Sequence, residues 1–183
     1  RSLRELIRSR LTTLQRIEIA NDRIGDDEVL EKVVNYDIEK LKITLESVDK
    51  AAFEKAVDTV ISAKRIFIMG VRSSASLAQF MNFYFTMMFD NVKLVSTTSR
   101  SEVFEQLFRI GPDDVMIGIT FPRYSKRVTD ALEFASSKGA KTIALTDSND
   151  SPAAENADCV LVARSDMASF ADSLVAPLSI INA

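Results

Sequence analysis

Between Arg65 and Arg164 the chain repeats one unit: a short apolar run, a longer stretch of helical periodicity, then another short apolar run. The runs are Arg65 to Gly70, Val92 to Ser96, Asp114 to Thr120, Thr142 to Asp147 and Cys159 to Arg164. Each is near-continuous rather than alternating, as strands covered on both faces are. Helical patterns fill the gaps at Ser74 to Phe89, Ser101 to Arg109 and Tyr124 to Lys138, the last with Val128, Ala131, Leu132 and Ala135 on one face. Parallel strands need long crossovers, and those crossovers place helices over the sheet. The expected fold is α/β: a three-layer α-β-α sandwich around a five-stranded parallel sheet.

N-terminal helices precede this unit. Leu3, Leu6, Ile7, Leu11 and Leu14 recur at helical spacing, and after a break at Gly25 so do Val29, Leu30, Val33, Val34, Ile38, Leu41 and Leu45. Asp26, Asp27 and Glu28 enrich the start of the second helix with acid, as the helix dipole favours. A third helix is expected after Asp49, a candidate N-cap, with Phe53, Ala56, Val57, Val60 and Ile61 as its apolar stripe. The division expected is residues 1–64 as helical linker and residues 65–183 as the ligand-binding domain. The first 23 residues carry arginine at positions 1, 4, 8, 10, 16 and 23, which reads either as a solvated helix face or as the tail of a preceding domain.

Composition narrows the function. At 183 residues and 46% apolar content the chain can bury a substantial core. A net charge of -3 argues against a nucleic-acid-binding surface spread over the whole chain. There is no histidine, which removes the commonest general acid-base group and a frequent metal ligand. The lone Cys159 lies in an apolar run and reads as core, so neither a zinc site nor another metal or cofactor is expected. No signal-peptide or membrane-spanning pattern is visible, and a reducing cytoplasm is the expected compartment. The stretch Leu77 to Phe89 is apolar nearly all round, so beyond the face on the sheet it needs a second cover, either an oligomer interface or the N-terminal helices.

Two loops stand out, because ligands in open parallel sheets bind beyond the carboxyl ends of the strands. In Met69-Gly70-Val71-Arg72-Ser73-Ser74 a strand ends on glycine, and hydroxyls precede a helix. In Thr120-Phe121-Pro122-Arg123-Tyr124-Ser125-Lys126-Arg127 a second strand runs into hydroxyls and cations at another helix start. Hydroxyls, helix-start amides and a guanidinium fork suit a phosphate or carboxylate, although a hydroxyl at a helix start also serves simply as a cap.

These residues resemble the SIS (sugar isomerase) domain, a phosphosugar-binding module of flavodoxin-like winding. Gly70-Val71-Arg72-Ser73-Ser74 is similar to its first loop, G-x-G-x-S. Ala135 to Asp147, reading ASSKGAKTIALTD, and Ala157-Asp158-Cys159-Val160-Leu161 match its later motifs. The stretch Phe121-Pro122-Arg123-Tyr124-Ser125 in the second loop is similar to the sensor domains of RpiR-type bacterial transcription regulators, as is the tail around Ser169 to Leu178. The resemblance implies phosphate-holding hydroxyls at Ser74, Thr120 and Ser125. It also implies three departures: Arg72 and Arg123 stand where loop glycines are usual, and Pro122 where a serine is usual. Arg72, Ser73, Ser74, Thr120, Arg123 and Ser125 are the expected ligand-binding set, with no catalytic residue.

The function so implied is effector sensing. A sugar phosphate or phosphorylated sugar acid would bind, the domain would be a homodimer or homotetramer, and DNA would be contacted only through a missing helix-turn-helix domain whose trailing edge is Ser2 to Leu6. The alternative is a small aldose-ketose isomerase using Glu102, Glu105 or a neighbouring subunit's carboxylate as base. A scaffold with a decayed ligand site is the third reading.

Overall fold

The computed structural model describes residues 28–96, 99–165 and 172–183. The expected first helix, Asp26 and Asp27, and Ser169 to Ala171 lie outside them. Five strands, β1 (Arg65–Gly70), β2 (Val92–Leu94), β3 (Asp114–Ile119), β4 (Lys141–Thr146) and β5 (Cys159–Val162), form one parallel sheet in the order β2-β1-β3-β4-β5. Around it lie α1 (Val29–Ser47), α2 (Lys50–Ser62), α3 (Ser74–Met88), α4 (Arg100–Leu107), α5 (Lys126–Ser137) and α6 (Val175–Asn182). This is the expected three-layer sandwich.

Side chains alternate along each strand between the two cores. Ile66, Ile68, Val115, Ile117, Ile119, Ile143 and Leu145 meet Ala56 and Val60 of α2 and Leu77, Ala78 and Met81 of α3. Phe67, Met69, Met116 and Ala144 meet Val103 and Leu107 of α4 and Val128, Ala131, Leu132 and Ala135 of α5. Gly118 lets α5 lie close on β3, because a Cβ there would come within 2.8 Å of Leu132. Cys159 is a core residue whose thiol donates to the carbonyl of Ala52 at 2.9 Å, and burial pushes its pKa up.

Element ends depart from expectation by a residue or two, for local reasons. α5 begins at Lys126 rather than Tyr124 because the Thr120 hydroxyl takes the Ser125 amide and ties 120–125 into a loop. β2 stops at Leu94, although the amide of Val95 still donates to Ile68. Asp49 caps α2 as expected, accepting from the Ala52 amide at 3.0 Å. The stripe on α2 is narrower than expected, since Ala56 and Val60 are buried while Val57 and Ile61 are exposed.

α1 faces the opposite way from a surface helix of the usual kind. Its buried residues are Lys40 and Thr44, while Leu30, Val34, Ile38 and Leu45 are exposed. Polar contacts hold the inner face: the Thr44 hydroxyl accepts from the Arg164 amide, and Asp37 accepts from the Ser173 hydroxyl at 2.6 Å. The outer face of α3 is also open, with Phe83, Tyr84, Met87 and Met88 all about half exposed or more.

Candidate functional site

Strand order reverses between β1 and β3, so the loops that leave them diverge to opposite layers and open a crevice. Gly70 and Ile119 are register partners at the ends of those strands, which starts the two predicted loops side by side.

The first loop is built by Gly70. A Cβ there would lie 2.3 Å from the Ser74 carbonyl oxygen and 3.1 Å from Ala78, so only glycine lets the first turn of α3 rest against the end of β1. Ser73 is the residue before that helix and makes no side-chain cap, so its exposed hydroxyl is not committed to closing the helix end. Ser74 is buried at 4% exposure. Arg72 has φ 57°, in the left-handed region that costs a residue with a Cβ about 1 kcal/mol or more.

The second loop is closed by Thr120, itself buried, whose hydroxyl accepts from the Ser125 amide at 3.0 Å. Ser125 makes no side-chain cap to α5. Arg123 also has positive φ, 69°. Both arginines therefore adopt the backbone conformation that glycine adopts at least cost, at the two positions where the resemblance expects glycine. The chain keeps the loop shape and adds two guanidiniums. The Arg72 guanidinium donates to the Arg123 carbonyl at 3.4 Å, and Arg123 forms a 3.4 Å ion pair with Asp172.

Six predicted residues thus sit on the two loops flanking one crevice: Arg72, Ser73 and Ser74 on one side, Thr120, Arg123 and Ser125 on the other. Sequence reasoning missed the carboxylates at the rim. Asp147, at the end of β4, accepts from the Tyr124 hydroxyl at 2.9 Å and from Thr146 at 3.3 Å. It closes the GAKTIALTD motif, which was a usable signal; Asp172 carried none. Glu102 and Glu105 are exposed on α4, and Asp130 on α5 is buried and paired with Arg100 at 2.6 Å and Lys126 at 2.9 Å. A concavity lined by Glu54, Lys55, Asp58 and Lys141 lies by α2, near the amino end of β4, and takes in none of the predicted residues.

A doubly wound parallel sheet with hydroxyl- and arginine-bearing loops across its switch point belongs to a class of small-ligand-binding α/β domains. Residues 59–183 match the family model of the SIS domain, and the chain belongs to that family. It is similar to the sugar isomerase domain of the RpiR transcription factor from Sphaerobacter thermophilus, at 31% identity and TM-score 0.81, covering 85% of this chain and 87% of that one. The fold is shared with the Vibrio vulnificus NanR protein, solved as a complex with ManNAc-6P, at 18% identity and TM-score 0.74, covering 91% of this chain and 64% of that one. An uncharacterized HTH-type transcriptional regulator of Haemophilus influenzae is 28% identical over 160 residues, 80% of this chain and 55% of that protein. The chain spans about half the length of the curated relatives it matches.

Proposed function

We propose that the chain is the effector-sensing part of an RpiR-type transcriptional regulator, and that a sugar phosphate or phosphorylated sugar acid binds across the β1 and β3 loops. One observation carries this reading: two left-handed arginines hold hydroxyl-bearing helix starts on both sides of the switch point. Ser73, Ser74 and Ser125 supply hydroxyl donors for a phosphate beside the positive dipole ends of α3 and α5. Thr120 shapes the second loop, and Arg72 and Arg123 add cationic forks for oxyanions. The relation to the RpiR domain and the sugar-phosphate complex of NanR support it.

In this reading residues 65–183 bind the effector and residues 1–64 are the helical connection to a DNA-reading domain. The exposed faces of α1 and α3 pair with another copy in a homodimer or homotetramer, and the assembly works in the cytoplasm. Among the described residues no helix is long and apolar enough to cross a membrane. Effector binding shifts the balance between arrangements of the assembly, and so the spacing of the DNA-reading domains. The absence of histidine supports sensing over isomerisation.

The test is a thermal-shift screen of sugar phosphates and phosphorylated sugar acids against inorganic phosphate, with an isomerase assay on every hit. A ligand at 100 times its Kd adds about 2.7 kcal/mol. Selective stabilisation without turnover is the expected result. Turnover would make the protein an isomerase, with the search for its base beginning at Glu102 and Glu105. Absence of any saturable response would leave a scaffold.

A further inference from the structure

The Arg123 guanidinium is not idle: it pairs with a carboxylate from a distant part of the sequence. Its Nη2 lies 3.4 Å from the Asp172 Oδ2, a long contact between a side chain 35% exposed and one 16% exposed. The residue after Asp172 is Ser173, whose hydroxyl donates to the Asp37 carboxylate on α1 at 2.6 Å and whose carbonyl accepts from the buried Ser165 hydroxyl at 2.9 Å. α1 is seated in part by such polar contacts, the Arg164 amide on the Thr44 hydroxyl among them, while Leu30, Val34, Ile38 and Leu45 are exposed. A continuous run of contacts therefore joins the second loop to α1: Arg123 to Asp172, one peptide unit to Ser173, and Ser173 to Asp37.

We propose that Asp172 is the resident counter-ion of Arg123, that a carboxylate on the effector displaces it, and that Ser173 relays the exchange to α1. The proposal rests on the effector reading for its ligand and on geometry alone for its relay. The long Arg123–Asp172 contact is the link suited to exchange, because a ligand carboxylate delivered by a phosphate already held in the crevice competes as an intramolecular partner. The 2.6 Å Ser173–Asp37 bond is the link suited to transmission. The ligand class that follows is a sugar phosphate carrying a second anionic group. A sugar whose only anionic group is its phosphate fills the phosphate subsite without dislodging Asp172, and so shifts α1 little, since a ligand moves an equilibrium only by its differential affinity for the two states.

Two measurements separate the relay from the ligand. The first uses no ligand: hydrogen exchange of the α1 amides in the wild type, Asp172→Asn, Ser173→Ala and, as control, Glu133→Ala on the exposed side of α5. Exchange at least threefold faster in α1 for both Asp172→Asn and Ser173→Ala, with Glu133→Ala unchanged, is expected. Unchanged α1 in both overturns the relay whatever the effector proves to be. The second is calorimetric titration with 6-phosphogluconate, glucose 6-phosphate and inorganic phosphate. Asp172→Asn should tighten 6-phosphogluconate severalfold and leave glucose 6-phosphate unchanged, and Arg123→Ala should erase the difference between the two sugars. Equal affinities for both sugars in the wild type and in Asp172→Asn overturn the counter-ion role. If no probe binds either protein, the effector reading and the displacement step fall together, and the relay is judged on the exchange data alone.

Discussion

The two ends of the parallel sheet handle charge in opposite ways. At the amino end Arg65, Asp114 and Asp158 are matched at short range. Arg65 clasps Asp114 through two nitrogens at 2.8 and 2.6 Å and donates to the Arg109 carbonyl, and the Gly111 amide donates to the same carboxylate. Asp158 accepts from both the amide and the hydroxyl of Thr142, and its own amide donates back to that hydroxyl. At the carboxyl end two arginines sit in left-handed backbone, their guanidiniums reach the Arg123 carbonyl and Asp172 only at 3.4 Å, and serines at two helix starts make no capping bond. One end is closed by short, matched pairs; the other carries two non-glycine residues in left-handed backbone, at some cost in stability.

Perturbing each end in turn tests that contrast. The largest effect belongs to Asp114→Ala, which leaves the half-buried Arg65 without its partner and should cost roughly 3 kcal/mol in denaturant unfolding, with anion-induced stabilisation retained. Acid reports on the same group. Burial raises the Asp114 pKa, but the Arg65 fork and the Gly111 amide outweigh it and hold the carboxyl below its ordinary value. Its contribution is complete above the unfolded value, about 3.9, and drains away as pH falls through the lower folded one, so Asp114→Asn should flatten the acid limb of the stability curve.

Thr142→Val comes next, at about 1 to 2 kcal/mol, because it strips Asp158 of a donor and leaves the Asp158 amide unpaired. Arg123→Gly should move stability the other way, by up to about 1 kcal/mol, since glycine accepts φ 69° freely, while the extra response to a sugar phosphate bearing a carboxylate is lost. Ser125→Ala should change unliganded stability least, within about 0.5 kcal/mol, because that hydroxyl caps nothing, yet remove most ligand-induced stabilisation. Full ligand response in both Arg123→Gly and Ser125→Ala would erase the contrast between the two ends.

Much of this arrangement is legible from residues alone. The five strands are legible to within a residue or two because runs such as Ile66 to Met69 and Val115 to Ile119 are apolar on both faces, as a covered strand requires. α5 was legible down to its buried face. α1 was not: the same amphipathic reading finds its apolar stripe, yet Lys40 and Thr44 face the domain and Leu30 and Leu45 face out. Periodicity shows that a helix has two unlike faces and leaves open which one the rest of the chain covers.

The candidate site divides the same way. Gly70, the hydroxyls and the arginines could be placed on two loops from local pattern, because turn chemistry and helix-start chemistry act over a few residues. That Arg72 and Arg123 take left-handed backbone, that Arg72 reaches the Arg123 carbonyl, and that Asp172 pairs with Arg123 across 49 positions depended on packing α3 and α5 against β1 and β3. The sequence by itself determined the layers, the strands and the two loops, since burial and backbone propensity are properties of short segments. Only the tertiary structure decided which carboxylate meets which arginine and which face of α1 turns inward, because those choices are made by groups far apart in the chain competing for the same neighbours.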